Sequence, residues 1–392
     1  VSAHPAAGPT NLQTPAAPAG LDGEGDEIYR EAFDVARVQV RRLLVAHPGA
    51  FPTYTDGGAW HLGDDPWAPT WSAGFLTGML WMFSDRDPTG WWREQAEAYS
   101  ELLEHRKHDT GTHDIGFLFT PSWGRWHARS PSRRTREVLI AAGRTMGGRF
   151  NPHGRYLSTW VDPGSTFIDV MMNIAIIYQA AALSGDTSLA EIATSHARTS
   201  RRFLVRGDGT SVHEGWFDPE TGIFERAATH QGCRADSSWV RGHAWAIYGF
   251  TDAFTWSGET AFLDTARLLA DTYIDRSGDL LVPPNDWEDP QPPLPYESSA
   301  GAIAAAGLLR LADVDPTHLS RADSERYRTF ARQVVAELSG PTFLARPGSD
   351  WEGVLRHGTY HYNNGVGVDE SVMWGEHYYV EALHHILQSS TS

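Results

Sequence analysis

Two aspartates sit where the sequence gives them little reason to be. Asp169 lies in the run STFIDVMMNIAIIYQAA, residues 165–181. Its apolar residues recur at helical spacing through Ile168, Met172, Ala175 and Ile176. With Ile168, Met171 and Met172 around it, desolvation is expected to raise the Asp169 pKa, so that the group holds a proton near neutral pH. The spacing reads as one helix with Asp169 a turn inside it and Ser165 or Thr166 as its cap. Asn173 stands four residues on, on the same face, where it could orient the acid or a substrate hydroxyl. The competing reading is an acid satisfied by a neighbouring helix. Asp114, in THDIGFLF, follows His113 and precedes Gly116, which lets a backbone or a ligand come close. As a helix cap before an apolar run it needs no catalytic role. Two acids at the starts of consecutive apolar helices can, however, face each other across one pocket and share proton transfer. Arg241 and Trp245, four apart in SSWVRGHAWAIYGF, pair a cation suited to a carboxylate or sulfate with a ring suited to a sugar face.

Other chemistries find less support. His105, His108 and His113, and the pair His384 and His385, do not match a zinc signature, so no metal is expected. The sequence has no phosphate-binding glycine loop, dinucleotide fingerprint or nucleophile elbow, and no cofactor is expected. The net charge of −17 argues against nucleic acid or an anionic membrane as a partner. No stretch approaches the roughly 18 apolar residues of a membrane span. The sole cysteine, Cys233, excludes an internal disulfide framework and leans toward a reducing compartment. A cytoplasmic address is therefore expected, with secretion after removal of a signal as the alternative. Sixteen tryptophans are many for 392 residues and fit both a large core and the stacking of sugar rings.

The elements that must position these residues alternate between two kinds. Amphipathic segments such as EIYREAFDVARVQVRRLL and ADSERYRTFARQVVAEL carry charge on one side and read as outer helices. Segments such as TWSAGFLTGMLWMF, STFIDVMMNIAIIYQAA and YESSAGAIAAAGLLRLA are apolar nearly all round, begin with polar or aromatic clusters, and read as inner helices. Six of each in strict alternation predict an all-α fold, an (α/α)6 barrel of six helical hairpins, with an open solenoid as the alternative. No run of alternating strands is evident. Parallel inner helices would bring their N-termini, with dipoles that favour an anion, to one mouth. Residues 1–26, rich in Ala, Pro and Gly, read as a flexible leader, and residues 27–392 as a single catalytic domain.

The ordered motifs HDIGF, IDVMMN, VRGDGTSVHEGWFDPETG, THQG, SSWVRGHAWAIYGF, YESSA and YHYNNGVGVDESVMWGEHYYVEAL resemble the unsaturated glucuronyl hydrolases of glycoside hydrolase family 88. The likeness runs from about Trp71 to Leu383. It implies an (α/α)6 barrel, Asp169 as general acid/base and Asp114 as the second essential aspartate. Substrate-binding residues of the family would fall on Trp71, His113, His213, Gln231, Arg241 and Trp245. His243, Glu297 and Leu76 depart from the family's usual residues. No lysine occurs in YHYNNGVGVDES, so a preference for sulfated sugars is not implied. The implied substrate is a lyase-generated oligosaccharide ending in a 4,5-unsaturated uronic acid, and the implied reaction is hydration of its vinyl ether. Alternatives are an unsaturated rhamnogalacturonyl hydrolase, an inverting glycosidase with carboxyls about 6.5–9.5 Å apart, and a non-catalytic glycan-binding barrel. A monomer or weak dimer is expected.

Overall fold

A computed structural model describes residues 26–63, 70–289, 295–346 and 348–389. Outer helices span Glu27–Ala46, Trp91–Leu103, Arg133–Gly147, Thr187–Phe203, Thr260–Ser277 and Arg321–Leu338. The first shows why they form: it buries Tyr29, Ala32, Phe33, Ala36, Val40 and Leu43, one stripe at spacings of three and four, and turns its charges outward. Inner helical segments are Ala73–Ser84, Ile115–Phe119, Val170–Asn173 continuing as Ala175–Ser184, Val240–Ser257, Ser298–Ala312 and Met373–Ser389. Every residue from Ala73 to Phe83 is buried, as an all-round apolar sequence requires. Each inner helix packs on the next, and the last packs on the first, so the inner set closes on itself.

Glycines allow this closeness. A Cβ on Gly74 would lie 2.1 Å from the Phe117 carbonyl oxygen, and one on Gly116 would lie 2.5 Å from the Asn173 Cα. The neighbour that Gly116 admits is therefore the backbone of the next inner segment.

Two readings are corrected. Strands do occur, in short antiparallel pairs between the helices, including a three-stranded sheet of Ser165–Phe167, Glu214–Phe217 and Phe224–Ala228. Ser165–Phe167 is accordingly strand rather than helix start, and the helix begins at Val170. Asp169 is thus the residue just before the helix, not one turn inside it. Helical periodicity failed here because the pairing partner lies about 50 residues away in sequence, and nothing local reports it. The predicted leader lies outside the described residues except for Asp26, whose carboxylate accepts from Arg332 Nη2 at 2.7 Å and ties it to the packed chain.

Candidate active site

Asp169 emerges at a junction. The strand before it ends at Phe167, the Ile168 amide donates to the His213 carbonyl at 2.9 Å, and the Asp169 carbonyl accepts from Met172 N at 3.0 Å as the helix starts. Strand and helix together fix the Cα, while the side chain caps nothing. Its Oδ1 is out of contact with solvent and has no hydrogen-bond partner. Burial pushes its pKa up to about 7, against the opposing pull of Arg241 and with help from the Asp114 charge. The residue keeps a modest exposed edge where it borders a pocket.

Asp114 stands at the N-cap position of the helix Ile115–Phe119, its carbonyl taking Leu118 N at 3.0 Å, but its side chain likewise caps nothing. Thr112 Oγ1 donates to its Oδ2 at 2.8 Å. His113 Nδ1 takes the Trp160 amide at 3.3 Å, which assigns the ring proton to Nε2, 3.5 Å from Asp114 Oδ1. Burial, opposed by Asp114, lowers the His113 pKa, so this is a neutral donor facing a carboxylate.

The pocket joins parts from distant segments. It is lined by Asp169, Asp114, His113, Trp71, Gln231, Arg241 and Trp245, which the sequence singled out. Among the described residues Trp160, Phe167 and Tyr360 also line it and were not anticipated. Tyr360 had a signal in the aromatic-rich YHYNN, but Trp160 and Phe167 had none beyond being aromatic. Trp71 Nε1 donates to the Tyr360 hydroxyl at 3.0 Å, and Trp71 packs on Trp374 at 4.8 Å between centroids.

Asn173 and His213 do not line the pocket. The fully buried Asn173 amide accepts from Phe117 N at 2.8 Å and donates to the Asp169 carbonyl at 3.3 Å. It joins two inner segments through their backbones and does not touch the Asp169 carboxyl. His213 stands behind Phe167, with ring centroids 5.0 Å apart. Its Nδ1 accepts the His230 amide at 3.2 Å, which leaves the proton on Nε2, buried and without a partner. Burial holds the His213 pKa well below that of a free imidazole.

Arg241 was expected to grip a substrate anion, but its fork is already engaged. Nη1 donates to Glu297 Oε2 at 2.7 Å and to the Thr359 carbonyl, and Nη2 to the Tyr360 carbonyl at 2.7 Å and to Gln231 Oε1. The guanidinium lies between Trp239 and Trp374, 4.5 and 5.0 Å from their centroids. Because Gln231 gives Arg241 its oxygen, the amide nitrogen is left for the pocket. His243, with Nε2 2.8 Å from the Leu269 carbonyl, faces away into the core.

Larger polar cavities lie elsewhere, around Arg310, Glu381 and His385. Several acids line them; of these Asp252, whose pKa burial raises against the pull of Arg310, is paired with that arginine, and Glu381 is committed: burial pushes its pKa up, but Arg125, His377 and Tyr248 together hold it below the usual range. A carboxyl locked in that state has no proton to give, unlike Asp169. Among the described residues no group of three or more His, Cys, Asp or Glu is placed to hold a metal ion, and no helix is long and apolar enough to cross a membrane.

No protein-family model matches the chain. Among curated proteins it is 34% identical over 369 residues to the unsaturated glucuronyl hydrolase of Bacillus sp. (strain GL1), covering 91% of this chain and 96% of that one. It is 30% identical over 341 residues to the unsaturated chondroitin disaccharide hydrolase of Streptococcus pneumoniae, covering 80% and 81%. The crystal structure of the Bacillus sp. GL1 enzyme, described as responsible for glycosaminoglycan degradation, superposes with a TM-score of 0.87 over 93% of this chain and 98% of that one, at 31% identity. Identity at this level over nearly the whole length shows that the chain belongs to the unsaturated glucuronyl hydrolase family.

Proposed function

We propose that the protein removes the terminal 4,5-unsaturated uronic acid from lyase-generated oligosaccharides, on an (α/α)6 barrel whose inner helices present Asp169 and Asp114 at one mouth. The observation that carries this reading is the Asp169 carboxyl, its Oδ1 buried and unpartnered and its pKa pushed up to about 7, in an aromatic pocket beside a second acid. Protonated Asp169 gives its proton to carbon 4, and the positive charge that develops is shared by carbon 5 and the ring oxygen. Water adds at carbon 5 and returns a proton to the Asp169 carboxylate. The hemiketal so formed opens at its bond to the ring oxygen, leaving a ketone at carbon 5. Carbon 1 is then a hemiacetal, which expels the neighbouring sugar as an alcohol. One water is consumed and the acid is regenerated. Asp114, with its negative charge close by, favours the protonated Asp169 and stabilises the cationic transition state.

Loss of the ultraviolet absorbance of unsaturated chondroitin, heparin, hyaluronan and ulvan disaccharides tests this directly. Release of reducing sugar from saturated glycans, with no change in that absorbance, would instead indicate an inverting glycosidase. Two expectations follow from the proton chemistry. Turnover is expected to fall on the alkaline side with an apparent pKa near 7, since the proton donor is lost as pH rises through that value. A rate flat from pH 6 to roughly 9 would contradict the role of Asp169. The reaction needs only protons and water, so turnover is also expected to survive EDTA; loss with EDTA and recovery with zinc or calcium would overturn that. A cytoplasmic setting and a monomer or weak dimer remain part of this proposal.

A further inference from the structure

Asp114 is 5% exposed, and its role beside the proton donor requires it to stay charged. A buried carboxylate keeps its charge only where hydrogen bonds or a positive group replace the water it has lost. The Thr112 hydroxyl gives one hydrogen bond, and the neutral His113 faces the carboxylate at 3.5 Å. Neither brings charge. Arg241, the cation that borders the pocket, is already paired with Glu297. A second guanidinium stands outside the pocket wall. Arg149 follows the outer helix Arg133–Gly147 and precedes the short strand Phe150–Asn151, which pairs with Tyr156–Leu157. It spends all three of its nitrogens on backbone: Nε donates to the Thr112 carbonyl at 2.8 Å, Nη1 to the Ser158 carbonyl at 3.2 Å and Nη2 to the Thr110 carbonyl at 2.6 Å. Its own carbonyl accepts from Ser158 N at 3.0 Å, so the tie to Ser158 is made twice. The clamp joins the segment that carries His113 and Asp114 to the segment that leads into Trp160, and the Trp160 amide meets His113 Nδ1 just beyond it. The carboxylates that act on the charge of Arg149 are Asp114 first and Asp109 second, and Asp109 is already paired with Arg106 at 2.7 Å. That charge is left to Asp114.

We propose that Arg149 is a positioning residue for the reaction, one that fixes His113 and Asp114 against Trp160 from outside the pocket and supplies the positive charge that keeps Asp114 an anion. It does not line the pocket and acts through Asp114. Its two contributions are separable. The clamp depends on the planar fork, which sends N–H groups in fixed directions to three carbonyls. The charge acts on Asp114 through space and would survive in any cation at that place. The same charge adds to burial in keeping His113 neutral. The titratable groups that bear on Asp114 are thus Asp169, His113 and Arg149, and of these Arg149 is the cation.

The inference rests on Asp169 and Asp114 being the reacting pair, and the wild type tells the two apart. A wild type that leaves unsaturated disaccharides untouched ends that reading, whereas an active wild type with unaltered Arg149 variants ends only this one. With Arg149→Met, kcat on an unsaturated disaccharide is expected to fall roughly 10- to 100-fold with KM within about threefold, as for reacting groups moved by less than an ångström. The acid limb of its rate profile is expected to move to higher pH by roughly half a pH unit or more, because a carboxylate deprived of a neighbouring cation takes up a proton more readily. The alkaline limb, set by Asp169 under the charges of Arg241 and Asp114, is expected to stay in place. Arg149→Lys keeps the charge without the fork, so its acid limb is expected to lie with wild type while its kcat falls between the other two. Unchanged kcat and acid limb in Arg149→Met overturn the proposal. So does a loss of kcat with both limbs in place and a lowered melting temperature, which marks a merely structural residue. An acid limb displaced as far in Arg149→Lys as in Arg149→Met also overturns it, since the charge would then play no part. Should Arg149→Met fail to fold, Arg149→Gln, which still donates to a carbonyl, carries the same expectations.

Discussion

Replacing Asp169 with asparagine is expected to lower turnover by roughly 10² to 10⁴, the usual worth of general acid/base catalysis, and by more if both protonation steps fail. Substrate binding, read from tryptophan fluorescence, should persist because the amide keeps the shape of the acid. Stability supplies a second and independent check. The native carboxyl keeps its proton from the ordinary 3.8 up to about 7, a range in which the unfolded chain has already lost it. The native state binds more protons there, so wild-type stability falls as pH rises through that window and stays reduced above it. Asparagine has no proton to lose. The variant is expected to melt above wild type at pH 8, with the difference shrinking toward pH 4. Near-normal turnover, or a variant that melts well below wild type at every pH, would make Asp169 a structural acid and end the mechanism proposed here.

The second large effect concerns Glu297, whose pairing with Arg241 the sequence did not disclose. Its Oε2 holds Arg241 at 2.7 Å, and its Oε1 takes Ser299 N, Ser299 Oγ and Thr359 N. Both partners of the ion pair are almost without solvent, at 3% and 0% of their side-chain surface. Glu297→Ala is expected to cost about 3–5 kcal/mol, because it strands a buried cation and not because the pair itself stabilises by that much. Urea titration at neutral pH measures it. Glu297→Gln keeps acceptor and size and is expected to cost less, though the charge of Arg241 is then uncompensated and should pull the Asp169 pKa down. A loss under about 1 kcal/mol for the alanine variant would mean that water reaches the guanidinium and that the burial described here is wrong.

How far the sequence could be read depended on the range of the interactions. The two kinds of helix were legible because burial follows local periodicity: Glu27–Ala46 shows one apolar stripe, and Ala73–Ser84 shows none because it is apolar throughout. Asp169 was legible because an acid among large apolar residues is costly and therefore conspicuous, and Asp114 only jointly with it, as a second acid at the start of the preceding apolar helix. The strand at Ser165–Phe167 was not, since its hydrogen bonds are supplied by residues 214–216. Asn173 was placed on the correct face but given the wrong range of targets, because sequence does not show that a side-chain amide will be taken up by the Phe117 backbone. Arg241 was recognised as out of place in an apolar helix. What it faces, two carbonyls nearly 120 residues further on, follows only from the closed packing of the inner helices.

That long reach bears on the order in which the protein is made. A chain emerging from its N-terminus has Asp114, Asp169 and Arg241 in hand while residues 297 and 359–360 have yet to be synthesised. Until they arrive the guanidinium lacks its carboxylate and two of its carbonyls, and cannot be drawn into an apolar interior. Domains fold as units during synthesis, and here the unit is not complete until the final hairpin has docked. The nascent chain consequently has no finished pocket, and the raised pKa of Asp169 is acquired only once residues 297 and 359–360 have emerged and the seam between the helices Met373–Ser389 and Ala73–Ser84 has formed.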